Sequence, residues 1–76
     1  MSHRLPVVRA KEVTHVAEAL GFVLDRQKGS HAIFYRNKDN ARLVIPMHPA
    51  KTLKPKTLAG IIQDMGITVD EFQALL

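Results

Sequence analysis

The chain contains no cysteine and no tryptophan, and only 5% of its residues are aromatic. The absence of cysteine excludes disulfide scaffolds, thiolate zinc sites, iron–sulfur clusters and cysteine nucleophiles, and it suits a reducing compartment. No apolar run approaches the ~18 residues that span a bilayer, and residues 1–6 lack the apolar core of a signal peptide. These absences predict a soluble, cytoplasmic protein without a membrane partner.

The length of 76 residues corresponds to a single domain. Hydrophobic residues make up 46% of the chain and charged residues 24%, which is typical of a folded protein and argues against intrinsic disorder. A domain this small cannot enclose a large substrate cavity, so any chemistry must take place on a surface, in a groove or at a shared interface. We expect one domain over residues 1–76, with residues 1–5 flexible.

Positive charge is distributed unevenly along the chain. Residues 1–56 contain all eleven Lys and Arg residues and four acidic residues, a net charge of +7, whereas residues 57–76 contain three acidic residues and no basic one. A basic body with an acidic end indicates a polyanionic partner. A solvated basic surface is the alternative, because it would have the same composition.

Residue patterns predict three helices and three strands. In two segments, apolar residues recur at the i, i+3, i+4, i+7 spacing of one helix face, and these are Val13, Val16, Ala17 and Leu20, then Leu58, Ile61, Ile62 and Met65. No Ser, Thr, Asp or Asn stands just before Lys11, so the start of the first helix is poorly marked. Thr68 to Glu71 matches the S/T-x-x-E capping box, which predicts a short last helix. Turns are expected at 28–30 and 37–40. The predicted elements are a helix at 11–20, strands at 22–27, 31–36 and 41–45, and helices at 55–65 and 69–75.

This order predicts an α+β fold, an α-β-β-β-α two-layer sandwich with a three-stranded antiparallel sheet, both helices on one face and a short extra C-terminal helix. Side-chain alternation assigns a wholly apolar set to the helix side, namely Phe22, Leu24, Ala32, Phe34, Leu43 and Ile45. The mixed set should form the open face, namely Val23, Asp25, Gln27, His31, Ile33, Tyr35, Arg42 and Val44. Double-stranded-RNA-binding domains (dsRBDs) have the same element order, but fold analogy alone does not establish a function.

Histidine titrates near neutral pH, so the four histidines are the first candidates for chemistry. His31 stands where the 28–30 turn becomes a strand, which is a rigid but exposed position. An imidazole there could take a proton from a ribose 2′-hydroxyl or give one to the leaving 5′-oxygen, and an ordinary strand residue is the alternative. We expect His3 in a flexible terminus and His15 on the exposed side of the first helix. No histidine pair has metal-motif spacing, so we expect no metal site.

The loop before the second helix contains a second candidate. His48 lies close in sequence to Lys51, Lys54 and Lys56, and these residues could bind phosphate at the helix N-terminus, where free backbone amides favour anions. A plain surface loop is the alternative. For Ser30, no Asp-His-Ser arrangement can be read, which favours a hydroxyl that caps the turn over a nucleophile.

The run Arg26-Gln27-Lys28-Gly29-Ser30-His31 resembles the signature of HicA-type (YcfA-like) mRNA interferase toxins. The resemblance extends in both directions and covers roughly residues 5–76. The further matching segments are residues 11–13, 20–22, 46–48, 53–54, 57–58, 61–62 and 66–67.

The resemblance implies a dsRBD-like fold and an enzyme that cleaves RNA, including mRNA, without a cofactor. It also implies a HicB-type antitoxin partner that covers the active site and holds the toxin inactive. The family's catalytic histidine corresponds to His31, and its glycine and serine correspond to Gly29 and Ser30. The acid–base partner of His31 is not identified, and Tyr35, Lys28 and His48 are the candidates.

The physical chemistry of RNA agrees with this implication. RNA carries its own nucleophile, the 2′-hydroxyl, so a small protein needs only a positioned acid–base group and cations near the scissile phosphate. The residues expected to contact RNA are Arg26, Lys28, Tyr35, Arg36, Arg42, His48, Lys51, Lys54 and Lys56. Two other functions remain open, a non-catalytic RNA-binding module and a protein-interaction domain. The second would dock its partner on the open face through Val23, Ile33, Tyr35 and Val44.

Overall fold

The computed structural model describes residues 4–76, so His3 and the expected flexible residues 1–3 lie outside the described residues. Its elements are helix α1 (Ala10–Ala19), strands β1 (Val23–Lys28), β2 (His31–Arg36) and β3 (Ala41–Pro46), and helices α2 (Pro55–Met65) and α3 (Val69–Leu75). The predicted α+β order is confirmed, and each boundary lies within one residue of its predicted position.

The three strands form one antiparallel sheet in the order β1-β2-β3. The central strand β2 pairs with β3 without interruption, whereas its pairing with β1 is irregular between Leu24 and Arg26. Helices α1 and α2 pack against β3, and α3 contacts α1. All six residues of β1 are exposed, because this edge strand extends beyond the helical layer and neither of its faces is covered.

The hydrophobic core lies between the sheet and this helical layer. Both predicted helical stripes point into it, with Leu20 only partly buried, and the buried stripe residues are Val13, Val16, Ala17, Leu58, Ile61, Ile62 and Met65. Phe72 anchors α3 with no exposed surface, whereas Leu75 is only partly buried. Of the sheet residues predicted to face the helices, all except Leu24 are buried. Leu24 is 52% exposed, so its predicted place in the core is wrong, because β1 extends beyond the helices.

A β-bulge in β1 changes which side chains share a face. Leu24 pairs with Phe34, but Arg26 pairs with Ile33, which leaves Asp25 as an extra residue on β1. One extra residue reverses the side-chain alternation after it.

The reversal places Arg26 and Lys28 on the face of their partners Ile33 and His31. Gln27 pairs with Ala32 and shares its helix-side face. The predicted place of Gln27 on the open face is therefore wrong, and two basic residues stand on the open face instead.

Local hydrogen bonds explain where the helices begin and end. A Glu12 carboxylate oxygen accepts the backbone N–H of Arg9 at 2.9 Å, which fixes the start of α1 although no Ser, Thr, Asp or Asn precedes it. Helix α2 begins at Pro55 and ends at Gly66, whose φ of 77° is left-handed. The capping box of α3 is confirmed, because the Glu71 N–H donates to the Thr68 hydroxyl at 3.1 Å and the Thr68 N–H donates to the Glu71 carboxylate at 2.8 Å.

The segment before α1 contacts three parts of the fold. The Arg4 carbonyl accepts a hydrogen bond from the Gln73 side chain at 2.9 Å, and Leu5 packs against the core. Val8 is buried, and its carbonyl accepts the Leu53 N–H at 2.9 Å. These contacts hold the segment against α3 and against the loop that leads into α2.

Arg36 joins the end of β2 to the end of α1. Its guanidinium donates to both carboxylate oxygens of Asp39 at 2.9 and 2.8 Å and to the Leu20 carbonyl at 2.9 Å. It also stacks over the Phe22 ring, 4.4 Å from the centroid. The hydrogen bonds from Arg36 lower the pKa of Asp39. Because the folded-state pKa lies below the unfolded value of about 4, this contact stabilises the fold above pH 4 and is lost as the pH falls through the lowered pKa.

We expect Asp39→Asn to lower the melting temperature at neutral pH by a small amount, because the Asp39 side chain is exposed and salt screens its charge. The difference from the wild type should shrink as the pH falls below about 4, and it should disappear once the pH has passed the lowered pKa of Asp39, where the folded wild-type carboxyl is protonated. Thermal unfolding followed across pH checks this. Asp64→Asn, at an exposed position on α2, is the matched control, and a pH-independent difference for Asp39→Asn would contradict the assignment.

Phe72→Ala should lower the free energy of unfolding by about 3–5 kcal/mol, because it leaves a large cavity under α3. This is a large fraction of the ~5–15 kcal/mol typical of a small domain. Denaturant unfolding measures the loss, and exposed Gln63→Ala should change it by less than about 0.5 kcal/mol. A loss below about 1 kcal/mol for Phe72→Ala would mean that α3 is not packed as described.

Candidate active site

The β1–β2 hairpin fixes the position of His31. Lys28 pairs with His31 across a two-residue turn of Gly29 and Ser30, and the Gln27 side chain donates to the Gly29 carbonyl at 3.0 Å. Gly29 has a φ of 57°, which disfavours residues that carry a Cβ. A Cβ added there would meet nothing within 4 Å, so the requirement for glycine is conformational and not steric.

The end of β3 lies on the other side of His31. Pro46 pairs with His31, and the Ser30 carbonyl accepts the backbone N–H of Met47. The contact that Ser30 makes in the structure is thus through its carbonyl. Together these pairings hold the end of β3 beside the start of β2, so that His48 follows two residues after the strand partner of His31.

His31 and His48 line one open groove of about 370 Å³. Its wall comes from β2, from the segment after β3 and from the start of α2, and it is lined by His31, Pro46, His48, Lys51, Thr52, Leu53, Lys54 and Thr57. Both imidazoles are on exposed residues. Both histidines are therefore accessible from solvent within the groove.

The loop that carries His48 and two lysines is held by backbone contacts. The Lys51 N–H donates to the His48 carbonyl at 3.0 Å, and Thr52 forms an isolated antiparallel bridge with Arg9. Leu53 packs against the core. These contacts give the groove wall a defined shape.

The open face of the sheet continues from this groove. Strand pairing arranges its side chains in three rows across the sheet, which are Lys28–His31–Pro46, Arg26–Ile33–Val44 and Val23–Tyr35–Arg42. Ile33 is only 7% exposed, because it lies on the central strand between two neighbours, whereas Val23 and Val44 are exposed. Positive charge on this face thus comes from Arg26 and Lys28 near His31 and from Arg42 at the far end.

Tyr35 lies at that far end of the face. It is four residues from His31 on the same strand, roughly 13 Å at the usual strand rise, and its hydroxyl donates to the Asn40 side chain. Tyr35, one of the three candidates for the acid–base partner of His31, thus lies toward the opposite end of β2 from His31.

Arg36 does not share this surface. Its guanidinium is bound to Asp39, Leu20 and Phe22 on the helix side of the sheet, and its side chain is only 14% exposed. The expected RNA contact at Arg36 is thus corrected to a structural role. Lys56 is exposed on α2 next to the groove but does not line it.

Sequence reasoning missed two polar residues of the groove, Thr52 and Thr57. Thr57 occupies the first turn of α2, whose N-terminus has no side-chain cap. Pro55 could have indicated Thr57, because a proline marks the first position of a helix and Thr57, two positions later, then lies in the first turn.

A larger groove of about 480 Å³ runs along the outer side of α1, between the helix and residues 47–49. It contains His15, which is exposed as predicted, together with Lys11 and Glu18. Among the described residues that line it, His15 is the one histidine, so no second imidazole lies beside it. The smaller groove at His31 is therefore the stronger candidate for chemistry.

Within residues 4–76, no three His, Asp or Glu side chains are grouped so that they could hold a metal ion. None of the helices described there has the length and apolar character needed to cross a membrane.

Comparison with known proteins identifies the family. The family model described as HicA toxin of bacterial toxin-antitoxin matches residues 10–67, from the first residue of α1 to just beyond α2. The match contains the hairpin and the groove and leaves out α3. No curated protein matches the sequence. Because the family model spans most of the chain, the protein belongs to the HicA family, the toxins of bacterial toxin–antitoxin systems.

Proposed function

We propose that this toxin is a metal-independent endoribonuclease that cleaves mRNA in the cytoplasm, with His31 as the central acid–base group. The observation that carries the proposal is the placement of His31 in the groove. Its backbone is paired on both sides, its side chain is exposed, and Lys51 and Lys54 line the same groove.

The reaction needs few groups from the protein. The 2′-hydroxyl of RNA attacks the adjacent phosphorus, and an imidazole takes up its proton or protonates the departing 5′-oxygen, which typically contributes about 10²–10⁴-fold to the rate. Cations beside the phosphate stabilise the negative charge of the transition state. His31 supplies the acid–base group, and Lys28, Lys51 and Lys54 supply the charge.

The remaining basic residues would hold the RNA strand on either side of the cleaved bond. Arg26 and Arg42 lie on the open face with His31, and Arg26 is only 3.9 Å from the Asp25 carboxylate in an exposed contact, which RNA phosphate could replace. Lys56 lies beyond the groove on α2. Tyr35, with its ring on the open face, would stack against a base.

The antitoxin partner would be of the HicB type and would cover this same surface. An acidic surface on the antitoxin would complement the basic residues around His31. The exposed Val23 and Val44 would supply apolar contacts at the centre of such an interface. Docking there would exclude RNA from the groove.

A non-catalytic RNA-binding module is the second candidate function. The exposed basic face supports it as well, because charge alone gives RNA affinity. It differs in one outcome, since RNA would remain intact after long incubation with the pure protein.

His31→Ala should abolish RNA cleavage and growth arrest, because it removes the acid–base group. The change in unfolding free energy should stay within about 1 kcal/mol, since the side chain is exposed. Gel analysis of incubated RNA, growth after induction and thermal unfolding measure these three quantities. His15→Ala, an exposed histidine on α1, is the matched control and should behave as wild type. Undiminished toxicity of His31→Ala would refute the proposal.

Replacing Lys51 and Lys54 by Ser should weaken RNA binding and its salt dependence. Each contact to a phosphate of single-stranded RNA contributes about −0.7 to the slope of log K against log salt concentration. The double replacement should thus make the slope less negative by about 1.4. Binding is measured in the His31→Ala background so that the RNA stays intact. Replacing Lys11 and Lys38, which lie outside the groove, is the charge-matched control, and an equal effect of that pair would contradict the proposed RNA path.

A further inference from the structure

We propose that His48 is the second acid–base group of this site, so that His31 and His48 act as a pair on one phosphodiester. The inference rests on the proposed RNA cleavage and goes beyond it by assigning both proton transfers. The two residues are seventeen positions apart in the sequence, and the fold brings them to one groove.

Backbone pairing determines how close the two segments lie. Pro46 is the direct strand partner of His31, and the Met47 N–H is bonded to the carbonyl of Ser30, the residue before His31. His48 follows immediately. The backbone pairing that positions His31 thus also fixes the chain two residues before His48, so the backbones of the two histidines are held near each other.

The surroundings of the pair suit acid–base chemistry on a phosphate. The charged groups that face it are Lys28 from β1 and Lys51 and Lys54 from the loop before α2. Among the described residues that line the groove, none is acidic. Imidazole is the side chain that both donates and accepts protons near neutral pH, so the histidines carry the protons and the lysines carry the charge.

The chemical step balances with two imidazoles and needs no further reactant. As the 2′-oxygen forms its bond to phosphorus, its proton passes to the neutral imidazole of the pair. As the bond between phosphorus and the 5′-oxygen breaks, the 5′-oxygen takes a proton from the protonated imidazole. The products are a 2′,3′-cyclic phosphate and a 5′-hydroxyl, and exchange with solvent restores the two starting protonation states.

A structural role does not account for His48. The residue is exposed, it lies outside the hydrophobic core, and the contact that holds it in the loop is made by its carbonyl, which accepts the Lys51 N–H. A glutamine at this position keeps that backbone contact. His48→Gln therefore removes the proton-transfer group while it preserves the fold.

The first experiment compares pH profiles of kcat for cleavage of a short oligoribonucleotide. The wild type should give a bell-shaped profile, because one imidazole must be neutral and the other protonated. His48→Gln should lower kcat by about 10²–10⁴-fold and lose one limb of the profile, and His31→Gln should lose the other limb. His15→Gln is the matched control and should retain both limbs, and thermal unfolding verifies that each variant is folded.

The second experiment uses the same oligoribonucleotide with sulfur in place of the 5′-oxygen at the cleaved bond. A thiolate leaves without protonation, so the variant that lacks the general acid should regain most of its rate on this substrate. The variant that lacks the general base should not. One of His31→Gln and His48→Gln should therefore be rescued, and this identifies the donor.

The outcomes separate the inference from the function on which it rests. In one outcome the wild type cleaves RNA and His31→Gln does not, but His48→Gln keeps the wild-type kcat and both limbs of the pH profile, or changes only KM. This outcome refutes the His31–His48 pair, while the proposed function stands. Loss of kcat in His48→Gln with both limbs retained also refutes it. If the wild type leaves RNA intact, both the pair and the proposed function fail.

Discussion

The backbone pairing at the start of β2 is the constraint on which the site depends. His31 is joined to Lys28 on one side and to Pro46 on the other, and the left-handed Gly29 makes the two-residue turn possible. The direction of the imidazole is set by the sheet and not by its own contacts. The site therefore needs no buried polar network to position its central residue, which a domain of this size could hardly accommodate.

The bulge in β1 determines the electrostatics of the open face. Without the extra residue Asp25, Arg26 and Lys28 would point to the helix side, where Gln27 points now. The bulge moves two positive charges to the face of His31 and does so at an exposed edge strand, where a bulge also discourages pairing with another chain. The basic residue Arg36 has a structural role instead, because its guanidinium joins the β2–β3 turn to the end of α1.

The fold separates the groups that stabilise it from the groups available for chemistry. The core residues lie between the helices and the other face of the sheet, and the residues that form the capping contacts of α1 and α3 do not line the groove. Apart from the partly buried Pro46 and Leu53, the groove is built from exposed side chains, on backbone that is held by Val8, Arg9 and Ser30. Exposed groove side chains can therefore change with little cost in stability.

The sequence by itself determined the order of elements, because helical periodicity, the capping box at Thr68 and the proline and glycine at the ends of α2 are local signals. It also singled out His31, through the Gly29-Ser30 turn and the resemblance around it. Only the tertiary structure decided which β1 side chains lie on which face of the sheet. A single bulge reverses the alternation of side chains, and no residue pattern predicted this bulge. The packing of distant segments likewise decided three further features. These are the exposure of Leu24, the structural role of Arg36 and the placement of His31 and His48 in one groove. The spacing of residues along the chain does not encode pairing across a sheet.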